Sequence, residues 1–119
     1  MISLPLPWPP RDLHPNSRVH WARRARAAKL CRTIAAGTAL AAGIRRGDPD
    51  IPSRLKVMAV FFPPDNRRRD IDGMLSSIKS YLDGIADVIG IDDSKWEISM
   101  SREGARKGGL VRIEISEAA

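Results

Sequence analysis

The chain has 119 residues, 43% hydrophobic and 29% charged, with a formal net charge of +6 and an isoelectric point near 10.2. That is enough apolar content for one modest core, so the composition predicts a single folded domain over residues 1–119 and excludes a chain disordered throughout. The basic excess points to a polyanionic partner, and the single cysteine, Cys31, excludes an internal disulfide and fits a reducing compartment.

With one Cys and two His (His14 and His20), the chain lacks a zinc ligand set. The opening MISLPLPWPP has no long apolar run behind a basic start. The run TIAAGTALAAGI is too short to span a bilayer. The expectation is a cytoplasmic protein with no membrane partner.

Residues 2–6 read as a short strand stopped by Pro7, Pro9 and Pro10, which places it at a sheet edge. Residues 19–44 have helical periodicity. Ala27, Leu30, Ile34, Thr38 and Ala41 are the expected buried stripe, and Arg26, Lys29 and Arg32 form a basic stripe opposite. Eight Lys or Arg and no Asp or Glu lie between Pro15 and Gly47, a run suited to a phosphate backbone. Cys31 is expected in the core. Residues 55–62 are apolar on both faces apart from Lys56, which predicts a central strand ended by Pro63 and Pro64.

A second helix is expected over residues 73–85, capped by Asp72, with Met74, Leu75, Ile78, Leu82 and Ile85 inward. Residues 95–102 and 110–116 read as strands, joined as a hairpin through 104–109. The order β-α-β-α-β-β implies a small α+β fold with two helices packed on a mixed sheet. Trp8, among prolines, is expected to anchor packing, and core packing is also the expected role of Trp21.

The chemistry concentrates between Asp65 and Asp93. Asp70 and Asp72, two apart in an extended segment, project to one side and suit a shared Mg²⁺. Asp93, beside Asp92, adds a third carboxylate after the second helix. Arg67, Arg68 and Arg69 can pair with phosphate oxygens bidentately. Lys79, seven residues after Asp72, returns to nearly the same helix face, where it can orient a phosphate or pair with Asp83 four residues on. Asp72 can equally be only a cap, and Asp92 and Asp93 only turn residues.

Taken together, LPWPP at 6–10, RRRDID at 67–72, KSYLDG at 79–84, IDD at 91–93 and the KGG-led strand at 107–115 resemble the RusA family of Holliday-junction resolvases over nearly the whole chain. The resemblance implies a homodimeric, Mg²⁺-dependent endonuclease (Mn²⁺ also being usable) that nicks four-way DNA junctions symmetrically. It implies Asp70, Asp72 and Asp93 as metal-binding acids. The family's catalytic lysine falls on Ser76 here, with Lys79 the nearest lysine, and the family's usual Asn falls on Gly73. The leading expectation is therefore a junction endonuclease with Asp70, Asp72, Asp93 and Lys79 catalytic. DNA would be held by Arg67, Arg68, Arg69, Arg26, Lys29 and Arg32. A catalytically inactive junction-binding accessory protein is the alternative.

Overall fold

The structure, a computed structural model, describes residues 1–118. Four strands form one mixed sheet in the order β1-β4-β2-β3, with β1 Ile2–Leu6, β2 Leu55–Phe62, β3 Glu97–Arg102 and β4 Leu110–Glu117. The helices α1 Trp21–Ala41, α2 Ile71–Ser77 and α3 Lys79–Ile89 complete a small α+β fold. No helix among the described residues is long and apolar enough to cross a membrane.

The pairing explains which residues face the helices. Ile2, Ile115, Val57 and Ile98 lie in one row across the sheet, and Leu4, Ile113, Ala59 and Met100 in another. Both rows belong to the core or pack against it, apart from the outermost Ile98. Neighbouring rows such as Ser3, Glu114, Met58 and Ser99 point to the other face. Proline-bearing β1 takes an edge, as expected, and pairs only with β4. The apolar β2 is central, and the side chains of Val57, Ala59, Val60 and Phe61 are all buried.

The expected hairpin between β3 and β4 does not form. β2 lies between them, parallel to β3 and antiparallel to β4. A strand apolar on both faces gains most from being flanked on both sides, and that outweighs a short connection. The 103–109 segment instead crosses the end of β2. Glu103 N–H donates to Phe61 O (2.8 Å) and Arg106 N–H to Pro63 O (2.7 Å). Gly109 makes this crossing possible: its φ is +72°, and an added Cβ would lie 2.8 Å from Trp8 Cβ.

The buried stripe of α1 is rotated by one residue from the expected one. Cys31, Ala35 and Ala39 are buried, the expected Ala27 and Ile34 pack against the core only in part, as Ala28 does, and Leu30 is 58% exposed. The cause lies on α3. A Cβ at Gly84 would fall 2.2 Å from the Arg32 carbonyl oxygen and 3.1 Å from Ala35 Cβ. The helices touch backbone to backbone, so the face of α1 with the smallest residues turns inward, and the larger Leu30 is left outside. Arg32 flanks this contact rather than opposing it, and bonds Asp87 of α3 through Nε (2.6 Å) and a terminal nitrogen (2.7 Å).

Trp21 is 74% exposed, not in the core. It opens α1 beside the capping residue His20, whose ring centroid lies 5.4 Å away. His20 Nδ1 accepts from Ala22 N–H, which accounts for the helix start.

The second helical region is two helices. Asp70, not Asp72, is the cap position of α2, and its side chain makes no capping bond. Asp72 lies in the first turn, where the helix dipole favours a carboxylate. Ile78 interrupts the helix at φ −104°, ψ 7° because its fully buried side chain anchors the junction in the core. Tyr81 of α3 then donates its hydroxyl to Pro7 O (2.8 Å), tying the N-terminal segment down.

The α1–α3 contact gives a paired test. Gly84→Ala is expected to destabilise the protein by about 3 kcal/mol in urea unfolding, because its new methyl meets backbone. Gly37→Ala, where nothing lies within 4 Å, is expected to stabilise by about 0.5–1 kcal/mol through helix propensity.

Candidate functional site

The site begins where β2 ends. Pro63 and Pro64 stop the strand, and the chain turns at Asp65. The Asp65 carboxylate accepts from Arg67 N–H (3.0 Å), Arg67 Nε (3.1 Å) and Arg69 (2.8 Å). Arg69 also lies over the Trp8 ring, 5.5 Å from its centroid, and Arg102 donates to Arg67 O (3.2 Å). Two of the three arginines are thus braced by one carboxylate, and Arg68 has no carboxylate within ion-pair reach among the described residues. The bond from Arg69, and then that from Arg67 N–H, hold the Asp65 carboxyl at about 2.

Past this turn, α2 presents Asp72 and Ser76 to a cleft of about 650 Å³. Lys79 and Leu82 of α3, Leu75, Asp93, Ser94 and Ile98 also line it. Asp93 reaches the cleft because α3 ends at Gly90 in the left-handed conformation (φ 84°, ψ 11°), after which a short 3₁₀ turn spans Asp93–Lys95. Trp96 fixes this return, with its indole N–H donating to Ile91 O (3.2 Å).

Lys79 lines the cleft between two carboxylates. Its ammonium bonds Asp83 Oδ1 at 2.8 Å and also Asp93 Oδ2. Partial burial opposes its charge, but the two carboxylates outweigh that and hold its pKa above the usual value. The expected pairing with Asp83 forms, and the same ammonium also reaches Asp93. Asp92 does not line the cleft, and its pKa is lowered chiefly by the Ser94 hydroxyl.

Of the three expected metal acids, Asp72 and Asp93 share the cleft and Asp70 does not line it. Among the described residues no group of three or more His, Cys, Asp and Glu is placed to hold a metal ion. The three carboxylates are thus not gathered among the described residues: Asp70, the extended cap of α2, lies outside the cleft, and Asp93 bonds the Lys79 ammonium. The donors present still fit Mg²⁺ or Mn²⁺. These hard ions are commonly held by one or two carboxylates, with waters and a substrate phosphate completing the shell, and the cleft offers two carboxylates, two hydroxyls and no softer ligand.

On α1, Arg26 and Lys29 are exposed, without carboxylate partners among the described residues. Arg32 is spent on Asp87, and that bond is the main cause of the raised Arg32 pKa and the lowered Asp87 pKa. Sequence reasoning missed Asp65, whose two- and four-residue spacing to Arg67 and Arg69 was the available signal. It also missed a wall of Trp8, Arg11 and His14 facing the arginines, for which no spacing rule exists.

Fold and site together define a small basic α+β protein with an acid–lysine cleft beside an arginine turn. The chain belongs to the same family as an uncharacterized protein of Xylella fastidiosa (strain Temecula1 / ATCC 700964). The two are 42% identical over 117 residues, which is 98% of this chain and 76% of the relative. No protein-family model matches the chain.

The Asp65 brace makes a pH prediction. Its folded pKa of about 2 lies below the usual 3.8. The stability it contributes is therefore complete above the usual value and is lost as pH falls from 3.8 toward 2. Asp65→Asn is expected to lower Tm at pH 7 and to make Tm fall less steeply across that acid window, followed by circular dichroism.

Proposed function

We propose that the protein is a divalent-cation-dependent, structure-selective DNA endonuclease that resolves four-way junctions by paired symmetric nicks, acting as a homodimer. One observation carries this reading. Asp72 and Lys79, joined by Asp93 from beyond α3, line one cleft, and Arg67, Arg68 and Arg69 line a second concavity on the other side of α2. The motif resemblance to RusA resolvases supports the same assignment.

Asp72 and Asp93, the two carboxylates of the cleft, would hold Mg²⁺ or Mn²⁺. When bound, such an ion supplies an activated water and offsets phosphate charge. Lys79 would leave Asp93 to the cation, keep its bond to Asp83, and place its ammonium where negative charge builds on the scissile phosphate. Arg68, without a carboxylate partner among the described residues, would contact the backbone directly. Arg67 and Arg69, braced by Asp65, would present a fixed cationic rim. Arg26 and Lys29 would extend the phosphate track along α1, and Arg32 would contribute little because Asp87 neutralises it. Binding dominated by such contacts weakens steeply with salt.

A second reading, a junction-binding accessory protein without nuclease activity, is favoured by the ion pairs of Lys79 and the lack of a three-acid cluster among the described residues.

A synthetic four-way junction in Mg²⁺ separates the two. Symmetric nicks with 5′-phosphate and 3′-hydroxyl ends are expected. Asp72→Asn and Asp93→Asn should each lower the cleavage rate by about 10³-fold or more while junction affinity persists, as loss of a metal-holding acid demands. Binding without nicking in Mg²⁺ or Mn²⁺ would establish the accessory role. A separate salt titration of binding should show Arg68→Ala reducing the slope of log affinity by about one, with Arg32→Ala leaving it nearly unchanged.

A further inference from the structure

A second concavity, of about 400 Å³, lies against Met74 and Ser77 of α2, whereas the acid cleft takes Asp72, Leu75 and Ser76 of the same helix. Its composition is the reverse of the cleft's. Trp8, Pro9, Pro10, Pro64 and Met74 give it flat apolar walls, and Arg11, Arg67, Arg68, Arg69 and His14 line it with nitrogen donors. It has no carboxylate in its lining. Arg11 and Arg68 have no ion-pair partner among the described residues, so two guanidinium groups at its rim are available to an anion.

His14 is set for the same purpose. Its Nδ1 accepts a hydrogen bond from Asn16 N–H (3.1 Å). In the neutral ring the proton is therefore on Nε2, which becomes a donor. That nitrogen packs over Gly73, where an added Cβ would be only 2.9 Å away. Glycine at this place lets the ring lie against the first turn of α2, one residue from Asp72. Inside the pocket the buried Ser77 hydroxyl donates to Met74 O (2.7 Å) and keeps acceptor capacity.

An apolar wall beside Arg11 and Arg68, which have no ion-pair partner among the described residues, matches the two halves of a nucleotide, a base and a phosphate. A base stacked in a duplex offers only its edges to a protein, so a concave pocket of this kind admits a base only after it leaves the stack. We propose that this pocket binds one unstacked nucleotide of the DNA strand. The base stacks on the Arg69 guanidinium that covers the Trp8 ring, beside Pro10, and the phosphate is held by Arg11, Arg68 and the His14 Nε2–H. The inference rests on DNA being the substrate and adds a subsite to it: α2 becomes a ridge with the extruded nucleotide on one side and the acid cleft on the other. Branched DNA, whose bases at the crossover are the easiest to unstack, would be selected by the cost of extrusion as well as by shape.

The test uses the full-length protein and 5′-dTMP as probe, with inorganic phosphate as the comparison. Two-dimensional NMR follows the indole N–H signals of the three tryptophans. 5′-dTMP is expected to shift the Trp8 signal, leave Trp21 and Trp96 in place, and bind about tenfold or more tighter than inorganic phosphate, since the base adds stacking area. His14→Ala and Arg68→Ala should each weaken 5′-dTMP by about tenfold, the usual effect of deleting a donor to a charged group. Gly73→Ala should weaken it too, because the new methyl displaces the His14 ring. Ile98→Ala, in the other cleft, should leave 5′-dTMP binding unchanged. Equal affinity for phosphate and 5′-dTMP, an unmoved Trp8 signal, or full affinity in the His14 and Arg68 variants would each overturn the proposal. These readouts do not depend on cleavage, so they stand apart from success or failure of the junction assay.

Discussion

The double pairing of β2 is the constraint on which the rest depends. Its hydrogen bonds run to β3 on one side and β4 on the other, and its inward side chains Val57, Ala59 and Phe61 lie in the middle of the core. Burying a side chain such as Phe61 is worth about 1.5–3 kcal/mol, and little of that is kept by a strand left at an edge. Once β2 is central, β3 and β4 cannot meet, and the segment between them must pass over the end of β2. That end is also where the arginine turn departs. Glu103 and Arg106 bond the carbonyls of Phe61 and Pro63, and Arg102 bonds Arg67 O. The crossing segment thus braces the arginine turn, and a demand of core packing fixes the position of the polar groups.

A second constraint acts in the helical layer. The approach of Gly84 to the Arg32 carbonyl sets how closely α1 and α3 lie. It determines which side of α1 is buried, and it brings Arg32 to Asp87, converting one residue of the basic stripe into a structural tie. The charge of α1 open to a ligand is therefore smaller than the sequence suggests, and it lies on the face that also exposes Leu30.

The acid cleft and the arginine pocket share α2 as their common wall, and the two have opposite electrostatic character. Seven residues of helix divide an environment of aspartates and lysine from one of guanidinium groups and proline. A short helix can do this because residues three and four apart share a face and those between face away: Asp72, Leu75, Ser76 and, beyond the break, Lys79 line one side, and Met74 and Ser77 the other. Ile78, buried in the core, holds the ridge in place.

Several features were legible from the residues alone because they depend on local chemistry. Both β1 and β2 follow from apolar runs cut by proline, the buried Cys31 from a small apolar residue within a helical pattern, and the α+β class from the alternation of element types. The motifs also singled out Asp72, Lys79 and Asp93, which line one cleft, although not the pairing of Lys79 with Asp93. What the sequence could not supply depends on contacts between distant segments. Strand order is a competition among all four strands, so the apparent hairpin through 104–109 carried no information about β2 coming between. The inward face of α1 depended on a glycine more than forty residues away, and the exposure of Trp21 on what the fold leaves uncovered. Asp70, one position from Ile71, was drawn toward Asp72 by extended geometry, but the chain enters a helix there, and helical rotation separates residues that a strand would align. Local pattern fixes what a segment tends to form; which atoms meet is decided by the packing of all segments at once.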